Sequence, residues 1–164
     1  PSHDTVDLSD ITIRRYSNGG TGTGTTIILN GLLAPGETFV VVNTSADSIL
    51  KTYADTLTGS LNFSGNDALA LINEVSGDTL DVFGQIGEDP GQSWLSPWGT
   101  EWTRNVTLRR LYMIEEGVHN NPISFDPTLQ WDSLGVDIFT GLGWHNNSCQ
   151  GITPGMCLNP FISE

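Results

Sequence analysis

Positive charge is scarce in this chain: six basic residues stand against nineteen acidic ones, giving a formal charge of −13, and Lys51 is the only lysine. Such a balance repels phosphate backbones over most of the surface, so nucleic-acid binding is not expected. Cysteine is nearly absent too, with Cys149 and Cys157 the two present. Two thiols without a CxxC or HxxxH spacing supply too few ligands for a structural zinc. No apolar run approaches the roughly 20 residues that a membrane-spanning helix needs, which argues against membrane insertion, and no signal peptide is seen. That last absence fits a mature, processed chain as well as an intracellular one. GxSxG is missing, and His3, His119 and His145 are scattered, so no nucleophile, base and orienting acid come together. The expectation is a protein that is not an enzyme and has no required cofactor.

What is present points to β-structure. Nineteen glycines and eight prolines accompany frequent Thr, Val and Ile. These suit short strands and many turns better than helices. The 164 residues are enough for one domain with a real core, and the expected division is a β-domain over 1–145 with a tail over 146–164. ITIRRY at 11–16 alternates apolar and polar residues and predicts a strand. SNGGTGTG then reads as an exposed connection; no Lys-Ser/Thr follows it, so it is not a phosphate cradle. TTIILNG at 25–31 and ETFVVVNT at 37–44 read as strands turned by Pro35 and Gly36, and the continuous FVVV run suggests a central strand. Ser45 is expected to cap one short helix over SADSILKTYAD. WTRNVTLRRLYMI at 102–114 reads as a half-buried strand. Trp131, Leu134, Val136 and Phe139 are read as the last core contributions.

The most informative stretch is 65–94, GNDALALINEVSGDTLDVFGQIGEDPGQSW. Leu69 and Leu71, then Leu80 and Val82, fall at every second position, and Ser76, Gly77 and Asp78 supply a turn, so a hairpin is predicted. With LAPGETFVVVN and FTGLGWH, the ordered set GNDALALI and LDVFGQIG resembles the lamin tail domain in its bacterial secreted form, over roughly residues 5–145. The resemblance implies an immunoglobulin-like β-sandwich, a binding or structural module, and an extracellular or cell-surface location.

Against the family pattern, the opening strand of the type FISEY is missing, because the chain starts at PSHDTVDLSD. The last residues, Pro160, Phe161, Ile162, Ser163 and Glu164, look like the start of that strand at the opposite end. A sandwich without its first strand would leave an unpaired edge and a groove over the core. A neighbouring copy's PFISE segment is expected to fill it, with Phe161 as anchor, and head-to-tail repetition of that contact builds a fibre. The functional expectation is therefore a non-catalytic repeat or subunit of a surface filament or adhesin, its partners being copies of itself. The runner-up is an accessory substrate- or surface-binding domain of a larger secreted hydrolase or nuclease.

Smaller features each carry two readings. Cys149 and Cys157 read as a local disulfide in an oxidising compartment, or as two free thiols. Asp4, Asp7 and Asp10, like Asn66 with Asp67 and Glu88 with Asp89, are weak Ca²⁺ candidates or solvated acidic loops. Trp94, Trp98 and Trp102 offer a carbohydrate platform, or pack into core and loops. Arg14 and Arg15 with Arg104, Arg109 and Arg110 form a local basic patch, or a set of separate ion pairs. N-x-S/T sequons begin at Asn43, Asn62, Asn105 and Asn146 and read as glycosylation sites in a eukaryotic secretory host, or as turn residues.

Overall fold

The computed structural model describes residues 5–22 and 24–144 and the backbone of 162–163. Cys149, Cys157, Asp4, His3, His145, Asn146, Pro160, Phe161 and Glu164 therefore lie outside the described residues. In chain order the strands are β1 (Val6–Asp7), β2 (Ile11–Tyr16), β3 (Thr25–Ile28), β4 (Leu32–Leu33), β5 (Val41–Asn43) and β6 (Thr56–Thr58). They continue as β7 (Ala68–Asn73), β8 (Thr79–Phe83), β9 (Thr107–Arg110), β10 (Trp131–Ser133) and β11 (Ile162–Ser163). The α-helix among the described residues, α1 (Ser48–Lys51), is one turn long. The fold is all-β, built mostly from antiparallel sheets.

The largest sheet has the order β3-β2-β7-β8. Its centre, β2 against β7, runs in register from Ile11 opposite Asn73 to Tyr16 opposite Ala68. The alternation read from the sequence places its side chains with one departure. A register shift lies between Leu71 and Ile72 in the β7–β8 ladder. Such a bulge moves one strand's side chains half a period against the other. Leu80 consequently joins Leu71 around Leu8, Ile11 and Ile27, whereas Val82 packs with Ala70 and Ile72 on the opposite face. The expected pairing of Leu80 with Val82 on one face is corrected by that bulge. Both faces of the sheet are apolar, the second covered by Ile86 and Val118 from the following loops.

The inner face meets a layer in two pieces. In the first, β9 is central, with β10 antiparallel on one side and β11 antiparallel on the other. Leu108 and Trp131 of this piece are almost wholly buried and pack on Phe83 and Leu69. Burying side chains of this size stabilises the fold by about 2–3 kcal/mol each. Phe125 meets Phe83 and Trp94 edge-on, at centroid distances of 5.2 and 5.3 Å, and Trp131 meets Phe83 at 5.3 Å. In the second piece β5 pairs with β6, in parallel; Phe39 and Val41 from it reach the Leu8, Ile11 and Ile27 cluster. A separate short ladder joins β1 to β4.

Four expectations change. FVVV is no central strand, because β5 has a ladder partner, β6, on one side alone among the described residues. The strand expected over 102–114 shortens to Thr107–Arg110, since Trp102 and Thr103 spend their N–H groups on Trp94 O and Ser93 Oγ. The helix cap is Asp47, whose carboxylate accepts from Ile49 N–H at 2.7 Å, while Ser45 N–H donates to the Asn43 side chain. Val136 is exposed and contributes nothing to the core.

Candidate functional site

The residue types that carry chemistry are mostly tied to one another. Asp67, buried, accepts from Asn18 N–H and Ser64 N–H at 3.2 and 3.1 Å and pairs with Arg15 at 3.4 Å. Asn66 donates to Asn18 Oδ1 at 2.9 Å and Gly91 O at 2.6 Å. This knot fastens the loops at 17–20 and 85–94 to the start of β7. Its carboxylate faces hydrogen-bond donors, which is the chemistry of a clamp. Among the described residues no three His, Cys, Asp or Glu side chains gather as a metal site.

Asp7 instead caps the 3₁₀ turn Leu8–Asp10, accepting from Ser9 N–H at 2.9 Å, and that hydrogen bond holds its carboxyl below the usual carboxylate range. Asp10 offers its carbonyl to Glu74 N–H. The arginines divide into separate contacts. Arg14 holds Glu74 at 2.7 Å, Arg110 pairs with Asp81, Arg104 reaches Gln92 and lies 3.7 Å from Glu101, and Arg109 donates to Thr140 O. Thr12 Oγ1, donating at 2.5 Å, and then Arg14 hold the Glu74 carboxyl below its ordinary range, while Glu74 raises Arg14.

The tryptophans divide as well. Trp94 is 4 % exposed and its indole N–H points to Asp67 O at 3.4 Å; Trp102 is half-buried and donates to Trp131 O at 3.1 Å. Trp98 is 78 % exposed on the turn that Ser96 closes onto Gly99 and Thr100. One flat face stands free where the sequence offered three.

Two features remain, an apolar cleft and a sheet edge held by a two-residue strand. The first is an apolar cleft of about 740 Å³ along the inner face of the four-stranded sheet. Ile13, Leu71 and Phe83 line its floor; Phe39, Val41 and Leu61 form the opposite wall, and residues 137–139 and 142–144 also line it, with Thr38 Oγ1 donating to Gly143 O at 2.7 Å. Glu37, Asp47 and Asp137 also border it. No backbone hydrogen bond joins Thr38 or Phe39 to another described residue, although both line the cleft. The second is the edge of β9 away from β10, where the backbone of Ile162 lies opposite Leu108 and Ser163 opposite Thr107. Thr107 belongs to both features, since it also borders the cleft. In the sequence Phe39 and Val41 of the wall stand in the FVVV run, which reads as a central strand and so gave no signal of an open face. No family model, curated protein or solved structure matches the chain.

Proposed function

We propose that the chain is a non-catalytic extracellular structural module, an immunoglobulin-like sandwich of the lamin-tail type. In this reading it serves as a repeat or subunit of a cell-surface filament or adhesin, and its copies join by strand donation or tandem linkage. Pro160–Glu164 is the donated segment. The observation that carries the reading is the antiparallel pairing of Ile162–Ser163 with Thr107–Leu108. A two-residue strand has no stability of its own; it exists by adding to a sheet that offers an edge. The same edge accepts the same segment from a neighbour at no change in register, which is how an intramolecular strand becomes an exchanged one. Donation from one copy to the next is heterologous and does not close, so it builds a fibre.

The charge of −13 supports an exposed, well-solvated surface in such an assembly. The test is sedimentation of the full chain beside a variant lacking Pro160–Glu164, at neutral pH. The reading predicts salt-tolerant association of the full chain and loss of it in the variant, because backbone pairing and apolar contact are weakly screened. Equal sedimentation of the two as monomers contradicts it.

A further inference from the structure

Where the donated strand goes after the β9 edge is the next question. Phe39, Val41, Leu61 and Leu71 belong to the core cluster around Ile11 yet are only partly buried, because they face the cleft. Apolar walls of that extent gain from being covered. An acyl chain would cover them, but it would offer nothing to the N–H and C=O groups of Thr38 and Phe39, which no backbone hydrogen bond joins to another described residue. Backbone groups in that position are satisfied by another backbone. Val41–Asn43 already pairs with β6 on one side, so an added strand finds a started ladder rather than a bare loop.

Charge narrows the occupant further. Glu37, Asp47 and Asp137 border the cleft and disfavour an acidic peptide within it. Pro160–Glu164 is largely apolar and carries its one charged side chain, Glu164, at its last position. Its Ile162–Ser163 backbone already pairs at Leu108 and Thr107, and Thr107 also lines the cleft, so the edge and the cleft share that residue.

We infer that the cleft is the acceptor groove for a strand from a second copy of this chain, which hydrogen-bonds Thr38 and Phe39 and lies over Ile13 and Leu71. This rests on the strand-donation reading and adds the place of insertion to it. In its filled state the strand joins the two pieces of the layer that faces the four-stranded sheet.

The test is nuclear magnetic resonance of the isotopically labelled full chain, titrated with synthetic peptide Pro160–Glu164 in excess. The apolar dye anilinonaphthalene sulfonate serves as a second probe of the cleft. The inference predicts shifted amide signals at Thr38 and Phe39, about tenfold slower amide exchange there, and displacement of the dye. Ala46→Trp, which plugs a half-buried position on the cleft border, removes the response at Thr38 and Phe39 and keeps that at Leu108. Shifts confined to Thr107 and Leu108 overturn the groove and leave strand donation standing. Dye displacement by dodecanoate and not by the peptide also overturns it, in favour of a lipid. No response to the peptide at any position, with a full chain that sediments as a monomer, overturns both.

Discussion

Arg110 and Asp81 meet inside the protein, 3 % and 6 % exposed, with Gln130 Oε1 accepting a further guanidinium hydrogen bond at 2.7 Å and Val118 N–H donating to Asp81 at 2.7 Å. The guanidinium also lies 5.4 Å from the centroid of the Trp131 ring. Removing one partner of a buried pair leaves the other charge uncompensated, a loss of about 3–5 kcal/mol. Asp81→Asn is expected to lower stability in urea denaturation by that order, and a loss below about 1 kcal/mol would contradict the account. Gly65 gives a second prediction, because a Cβ there would lie 2.7 Å from Arg104 Cα and 2.8 Å from Thr103 O. Both neighbours are backbone and cannot swing aside, so Gly65→Ala is expected to destabilise by about 1–3 kcal/mol in the same measurement. At this scale the sequence announced residue types but not their partners. Five arginines could be read as a patch or as ion pairs, and only the placement of Glu74, Asp67, Asp81 and Glu101 beside four of them decides for pairs.

Thr12, buried, and the half-buried Arg14 of β2 both reach the exposed Glu74, the residue that follows β7. The sign of their pH dependence follows from the depressed Glu74 carboxyl. A group whose folded value lies below its unfolded value, near about 4.3 for Glu, stabilises the fold above that pH and ceases to as pH falls through the folded value. The urea midpoint of the wild type is therefore expected to exceed that of Glu74→Gln near neutrality, and the gap to close in acid. A gap independent of pH would contradict the clamp. Elements with a clean two-residue period were legible: β2 runs over Ile11–Tyr16 as its alternation implies, and the β7–β8 hairpin stands where its turn residues place it. The bulge at Leu71 and Ile72, the parallel β5–β6 pair and the β1–β4 ladder were not, because each depends on a partner distant in sequence. Asp47 displaced Ser45 as helix cap because its carboxylate, not the Ser45 hydroxyl, stands in reach of the first free N–H.

At the scale of the molecule, a well-formed four-stranded sheet faces a layer in two pieces, with an apolar cleft along it. The sequence carried the all-β class in its glycines, turns and β-branched residues, whereas the FVVV run read as a central strand and not as a cleft wall. The cleft's extent was not legible, since a void is set by which elements fail to meet, and that is a property of packing rather than of any one segment. Electron microscopy of natively isolated material at neutral pH, with no denaturing step, tests the central claim most directly. Strand donation between copies predicts regular fibres whose repeat is near one domain length; a field of discrete single particles would contradict it.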